Sequence, residues 1–192
     1  IGAFLAFSKV AADIVIIECG MGGRIDSTNI IEKKLATVIM PISFDHVEYL
    51  GNSIEKIAFE KTMIMRKETP LIVALQSKEA KAMIKLLAQD WKVKTYFYDE
   101  DFSITIDKKN GEFDLNFTGE VFSNLPKPSL LGAHQYINFS TAIACCLAIK
   151  SNFPIAKNHI EQAISSVSWP SRLEKVNNNL NKFLKNPNRT IF

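Results

Sequence analysis

Three residues in the first third of the 192-residue chain have side chains that could take part in metal-ion chemistry. Glu18 follows the apolar run Ile14–Ile17, and its carboxylate is a hard oxygen ligand of the kind that Mg²⁺ prefers. His46 follows a second apolar run, and its imidazole could ligate a metal. Lys61 lies 15 residues after His46 in a helical pattern, where burial of a charged amine would be costly. Each also has an ordinary interpretation: an ion-paired or capping acid, a surface histidine and an exposed lysine.

A glycine-rich stretch, CGMGGR, directly follows Glu18. It does not match a known phosphate-binding loop, because the dinucleotide fingerprint would need a third glycine at Ile25. The pattern G-x-x-x-x-G-K-[ST] does not occur in the 192 residues. A tight turn is one interpretation of this stretch. Arg24 and Asp26 favour a ligand contact, since polar groups on such loops often meet substrates.

Two polar residues in the second half of the chain could contact a ligand. Asn138 lies near the start of a predicted helix, and its amide could bind the edge of an adenine. Arg172 follows Trp169 and Pro170, and its guanidinium fork could bind a phosphate. A polar helix start and a charged residue opening a linker remain open as alternatives.

The elements that would position these residues alternate between strands and helices, which predicts an α/β fold with a mostly parallel sheet flanked by helices. Unbroken apolar runs at residues 14–17, 37–42 and 71–75 predict buried strands, and the alternating run at 92–99 predicts a fourth. Asn110 and Gly111 between two alternating runs predict an appended antiparallel hairpin. Ligands of such sheets bind at the carboxyl ends of the strands, where Glu18 would lie. Helices are predicted over residues 1–11, 53–67, 77–91, 136–150 and 156–167.

Composition excludes several classes of partner. The 23 basic residues are scattered and the net charge is only +3, which disfavours nucleic acid. Cys19, Cys145 and Cys146 have no metal-ligand spacing, and an adjacent pair is a poor disulfide candidate. These thiols predict a reducing, cytoplasmic location. No apolar run reaches the roughly 18 residues of a membrane span, so no membrane partner is predicted.

Five motifs in a fixed order resemble the folylpolyglutamate synthase and dihydrofolate synthase family, relatives of the Mur ligases. They are ECGMGGRIDSTN, SFDHVEYLG, the EK pair at 60–61, LLGAHQYIN and WPSRLE. The resemblance implies a Mur-ligase-like ATP-binding domain and an ATP-dependent amide ligase. Such an enzyme activates a carboxylate as an acyl phosphate, which the amine of L-glutamate then attacks. The implied small-molecule partners are ATP, folate or dihydropteroate, and L-glutamate, bound by a protein that is monomeric in its intact form.

The resemblance also implies a role for each motif residue. Glu18 and His46 correspond to Mg²⁺ ligands. Lys61 corresponds to a lysine that becomes carbamylated, which turns a cation into an anion that helps to organise Mg²⁺. A pterin-side contact corresponds to Ile25, Asp26 and Ser27. Nucleotide contacts correspond to Asn138 and Arg172. Three departures from the family pattern are Ser171 in place of a glycine, Thr62-Met63 in place of a small pair after the lysine, and Ser27 in place of a common alanine.

The same resemblance implies a domain division. Residues 1–174 would form a partial ATP-binding central domain, and residues 175–192 a linker with the first strand of a further domain. The phosphate-binding loop and the carboxy-terminal domain of the family would lie outside residues 1–192. Three hypotheses follow: the central portion of a ligase that is inactive as an isolated piece, a non-catalytic remnant of a split or degraded gene, and a nucleotide-binding or interaction module.

Overall fold

A computed structural model of the chain describes residues 2–170. The chain divides into two units, Ile1–Phe97 and Tyr98–Phe192. Within the described residues, no helix has both the length and the apolar composition needed to cross a bilayer. Arg172 and the predicted linker at 175–192 lie outside the described residues.

The first unit is built on a three-stranded parallel sheet. Its elements, in chain order, are α1 (Gly2–Phe7), a 3₁₀ turn (Ser27–Ile30), β1 (Thr37–Ile39), α2 (Val47–Leu50), α3 (Ile54–Thr62), β2 (Leu71–Val73), α4 (Lys78–Trp91) and β3 (Thr95–Phe97). The strand order is β1-β2-β3, and Val38, Ile72 and Tyr96 stand side by side in the ladder. All three residues of β2 are fully buried, as expected for a parallel strand that is covered on both faces. The predicted fold class is confirmed.

Helices α3 and α4 begin where serine side chains cap them. The hydroxyl of Ser53 accepts the backbone N–H of Lys56 at 3.3 Å, and Ser77 caps α4 in the same way. α4 ends at Trp91 as predicted and begins one residue later than predicted, whereas α3 ends at Thr62 rather than continuing to residue 67. The chain turns after Thr62 and so brings Met65, which is fully buried, into the core of this unit.

The prediction that Ile14–Ile17 forms a buried strand is wrong. These residues have no regular secondary structure, and Ile16 is 91% exposed. A strand needs a neighbour whose backbone can pair with it. Within the described residues the parallel sheet contains only β1, β2 and β3, so Ile14–Ile17 has no ladder to join. Glu18 consequently follows an irregular segment and not the end of a strand.

The second unit contains an antiparallel sheet and two helices. The elements are β4 (Phe102–Ile106), β5 (Phe113–Phe117), β6 (Glu120–Leu125), α5 (His134–Ala148) and α6 (Lys157–Ser166). The predicted hairpin is confirmed, with Gly111 at φ 81° in the connection between β4 and β5. A third strand extends it: Thr118 and Gly119 both have positive φ, as a tight two-residue turn into β6 requires.

Replacing Ser53 with alanine is expected to lower the free energy of unfolding by about 1 kcal/mol, because an N–H of the first turn of α3 loses its acceptor. Urea denaturation followed by circular dichroism measures this loss. Ser165→Ala is the matched control, since the Ser165 hydroxyl bonds to the Glu161 carbonyl inside α6 and caps nothing. Equal losses in the two variants would contradict the capping role of Ser53.

Candidate functional site

The chain from Cys19 to Lys34, which we call the glycine loop, packs directly against the C-terminal half of α3. A Cβ atom added to Gly23 would lie 2.6 Å from Cγ2 of Ile64 and 2.8 Å from the carbonyl oxygen of Glu60. The backbone N–H of Arg24 donates to that same Glu60 carbonyl at 3.0 Å. Only glycine permits this close approach. The contact and the hydrogen bond hold the chain after Glu18 against α3, the helix that carries Lys61.

A side-chain ion pair joins the same two elements. Arg24 Nε donates to both carboxylate oxygens of Glu60, at 3.0 and 3.1 Å, and a terminal nitrogen of Arg24 lies 3.0 Å from Oε1. The side chain of Glu60 is only 17% exposed, whereas that of Arg24 is 48% exposed. Such forked geometry fixes the direction of both side chains as well as their separation.

A second set of contacts fastens the far end of the loop to the residues that follow α3. Lys34 Nζ donates to the Ile64 carbonyl and to Asn29 Oδ1, both at 2.8 Å. Arg66 donates to the backbone carbonyl of Asn29 at 2.6 Å, and Asn29 Nδ2 donates to the Met63 carbonyl at 3.2 Å. Cations are favoured at a helix C-terminus because its carbonyl groups carry partial negative charge. Burial lowers the pKa of Lys34, and the nearby Arg66 guanidinium lowers it further.

Asp26 organises the loop from within. Its carboxylate accepts hydrogen bonds from the backbone N–H groups of Gly20 at 2.9 Å, Met21 at 3.0 Å and Thr28 at 2.8 Å, and from the Thr28 hydroxyl. Burial acts to raise the pKa of Asp26, but the hydrogen bonds from Thr28, Met21 and Gly20 outweigh it, so this pKa is lowered. Arg24 and Asp26, which the sequence suggests as ligand contacts, therefore both have protein partners.

Replacing Asp26 with asparagine is expected to lower the free energy of unfolding at pH 7 by about 1–2 kcal/mol, because an amide cannot accept all these hydrogen bonds. Since the pKa of Asp26 is lowered on folding, its contribution is fully present above the ordinary value of 3.8 and is lost as the pH falls through the lower folded value. Urea denaturation at a series of pH values tests this. The two proteins should differ most at neutral pH and converge in acid; a constant difference would contradict the assignment.

The segment that leads from β1 to His46 is held by a glutamine after β2. Gln76 accepts the Ile42 N–H at 3.0 Å and donates to the Met40 carbonyl at 2.9 Å, which links the carboxyl ends of two neighbouring strands. His46 begins α2 with φ 48°, a left-handed conformation that is uncommon outside glycine. Its side chain is 42% exposed, with Nε2 3.5 Å from Oδ2 of Asp45.

A family model described as the Mur ligase middle domain matches residues 2–146. This chain belongs to the Mur ligase middle-domain family. Its homologues are dihydrofolate and folylpolyglutamate synthases. A probable dihydrofolate synthetase of Schizosaccharomyces pombe is 31% identical over 90% of this chain, and a dihydrofolate synthase/folylpolyglutamate synthase of Bacillus subtilis is 32% identical over 91%.

Solved structures of related ligases have the same fold as this Mur ligase middle domain. An FPGS–AMPPCP–folate complex matches 91% of this chain with a TM-score of 0.85 at 28% identity. The match covers 43% of the chain in that complex. A Mycobacterium tuberculosis folylpolyglutamate synthase complexed with ADP and AMPPCP matches 90% of this chain with a TM-score of 0.77 at 30% identity, and the match covers 40% of the synthase chain. The chain spans about 40% of the length of the curated relatives that it matches.

The predicted site residues occupy different environments in this Mur ligase middle domain. Glu18 is exposed, and Lys61 is half-buried in the last turn of α3. Ile25 is 81% exposed and Ser27 is also exposed, which leaves both side chains accessible to a ligand. In the second unit, Asn138 Nδ2 donates to Oε1 of the buried Gln135 at 3.0 Å.

The donor groups of this region fit Mg²⁺ if phosphate oxygens and water complete its ligand shell. Among residues 2–170, no three His, Cys, Asp or Glu side chains are grouped so that they could hold a metal ion by themselves. Mg²⁺ usually takes one or two protein ligands and completes its shell with phosphate oxygens and water. Over the described part of the chain, the side chains of Glu18 and Lys61 form no hydrogen bond or ion pair, so both are available to a ligand.

The residues that assemble this region are not evident from the sequence. Glu60, Asn29, Lys34 and Arg66 join the loop to α3, and none was a candidate on its own. The one available signal was the position of Glu60 directly before Lys61. Its partner Arg24 lies 36 residues away in the chain, and no periodicity links two positions so far apart.

Proposed function

We propose that this Mur ligase middle domain is the central portion of an ATP-dependent amide ligase that adds L-glutamate to folate or dihydropteroate. The main support is the match over 91% of the chain, with a TM-score of 0.85, to the FPGS–AMPPCP–folate complex. The names of the relatives support the same substrate class. In this reaction the γ-phosphoryl group of ATP passes to the carboxylate of the pterin substrate. The glutamate amine then displaces phosphate and forms the amide.

Within this proposal, Glu18 and His46 would hold Mg²⁺, which would neutralise charge on the transferred phosphoryl group. Lys61 contributes as a carbamate: the ammonium gives up one proton, the neutral amine nitrogen bonds to the carbon of CO₂, and a second proton leaves that nitrogen, so that an anion replaces a cation. The absence of a partner for the Lys61 side chain among residues 2–170 supports this, since a free amine can react.

The glycine loop supplies the proposed pterin contact. Ile25 and Ser27 present exposed side chains to the pterin, while Asp26 keeps their backbone in one conformation through its hydrogen bonds. Asn138 and Arg172 contact the nucleotide. We also propose residues 1–174 as the extent of the ATP-binding domain. Three free cysteines support a cytoplasmic location, and we propose a monomer for the intact enzyme.

A graft tests the proposed activity. In the folylpolyglutamate synthase of Lacticaseibacillus casei, this chain replaces the segment that it matches at 31% identity, which is 40% of that protein. ADP release that depends on both glutamate and folate or dihydropteroate is the expected result, and the preferred pterin distinguishes the two synthase activities. A graft with a cooperative thermal transition but no such release would overturn the proposal. Should this graft not fold, the same exchange in the Bacillus subtilis relative replaces it.

The isolated 192-residue chain serves as the negative control. It contains no G-x-x-x-x-G-K-[ST] pattern to hold the β- and γ-phosphates, and positioning supplies much of the catalysis of phosphoryl transfer. We therefore expect no turnover from it. This feature favours a second candidate, a non-catalytic remnant, and an active graft argues against that candidate because a decayed domain would not support turnover.

A further inference from the structure

The Arg24–Glu60 ion pair joins positions next to both parts of the proposed site. Arg24 directly precedes Ile25 in the proposed pterin contact, and Glu60 directly precedes the proposed carbamate, Lys61. The pair makes two hydrogen bonds at 3.0 and 3.1 Å, with a third close approach at 3.0 Å. It therefore joins the glycine loop to the body of α3 through side chains, in addition to the contacts that the far end of the loop makes after α3.

The pair is not needed to hold the unit together. Gly23 packs against the carbonyl groups of Glu60 and Lys61, and the backbone of Arg24 bonds to Glu60, whatever the side chain of Arg24 is. At the far end of the loop, Lys34 and its neighbours form a separate set of contacts. Because the Arg24 side chain is 48% exposed, loss of the ion pair should change global stability little.

The ion pair fixes the orientation of the loop on α3. A forked arginine–carboxylate contact fixes orientation, which the single backbone bond at Arg24 does not. We propose that Arg24 and Glu60 are positioning residues, which hold the loop in one orientation on α3 so that Ile25–Ser27 and Lys61 form one rigid site. This inference rests on the proposed function for its catalytic consequence, but the positioning of the loop does not depend on that function.

The catalytic consequence is measured in the ligase graft. Arg24→Gln and Glu60→Gln are each expected to lower kcat/KM by on the order of 10- to 100-fold, mainly through KM for the pterin, because small displacements of positioning groups are costly. The melting temperature should stay close to that of the unmodified graft. Arg24→Lys should recover only part of the activity, and the exchange Arg24→Glu with Glu60→Arg should recover more than either single change.

The loop itself is measured in the 192-residue chain, without any substrate. Cys19 lies in the loop and is half-buried, with its Sγ 3.4 Å from the Thr28 hydroxyl. Arg24→Gln is expected to raise the rate of Cys19 labelling by a thiol reagent several-fold. Cys145 and Cys146 serve as internal references, because burial and the adjacent Cys146 raise the pKa of Cys145 to about 11, and burial raises that of Cys146.

Lys150→Gln is the matched control, since it removes an exposed ion pair with Glu120 at 2.7 Å in the second unit. Unchanged Cys19 labelling and unchanged KM in Arg24→Gln would overturn the inference. A fall in melting temperature that accounts for the whole loss of activity would overturn it too. If Cys19 labelling rises while every graft, including the unmodified one, is inactive, the proposed function fails and the positioning role stands.

Discussion

Replacing Lys61 with arginine is expected to lower glutamate-dependent ADP release by the ligase graft by on the order of 100- to 1,000-fold, the usual cost of removing one charge-stabilising group from an active site. Arginine keeps the positive charge and nearly the length of lysine. Its guanidinium stays protonated, so it cannot form the carbamate. The variant therefore separates a role of the modified anion from a role of the cation. Steady-state ADP release at saturating ATP and glutamate measures the effect.

Lys56→Arg is the control for this substitution, because Lys56 lies in the same helix and is exposed, with Nζ 3.3 Å from Oδ1 of Asn52. Its activity should match that of the unmodified graft. Carbon-13 NMR after incubation with labelled bicarbonate gives an independent readout, with a carbamate signal that Lys61→Arg lacks. Full activity in Lys61→Arg would disprove the carbamate role, whatever the spectrum contains.

Replacing Gly23 with alanine is expected to lower the free energy of unfolding by about 2–3 kcal/mol, in the upper part of the range for overpacked sites. The new Cβ would lie 2.6 Å from Ile64 Cγ2, 2.8 Å from the Glu60 carbonyl oxygen and 3.0 Å from that of Lys61. A side chain could rotate away, but the two carbonyl groups belong to the backbone of α3. The loop must therefore separate from the helix, and the bond from the Arg24 N–H to Glu60 is lost with it.

Gly20→Ala is the matched control within the same loop. A Cβ at Gly20 would meet only Oδ2 of Asp26, at an ordinary contact distance of 3.5 Å, and its backbone N–H would still donate to that oxygen. Urea denaturation of both variants should give a large loss for Gly23→Ala and a change within about 0.5 kcal/mol for Gly20→Ala. Comparable losses would mean that the close approach to α3 does not explain the glycine at position 23.

Much of the local structure could be predicted from the sequence, because local preference and burial agree there. The unbroken apolar run Leu71–Val73 predicts a strand covered on both faces, and β2 is fully buried. The predicted helix at 77–91 is α4, and the structure adds that the Ser77 side chain caps it. Asn110 and Gly111 predict the connection between β4 and β5. The run Ile14–Ile17 is equally apolar but forms no strand, since a strand depends on a partner that its own residues do not specify.

For the candidate site, the chemical groups and their order along the chain could be predicted from the sequence: Glu18, the glycine loop, His46 and Lys61. The order of these motifs was enough to indicate the family to which the chain belongs. The position of the loop on α3, and the ion pair between Arg24 and Glu60 36 residues apart, depend on the folded arrangement of the chain. Steric contact and hydrogen bonding depend on where the chain returns in space, and neither composition nor periodicity contains that information.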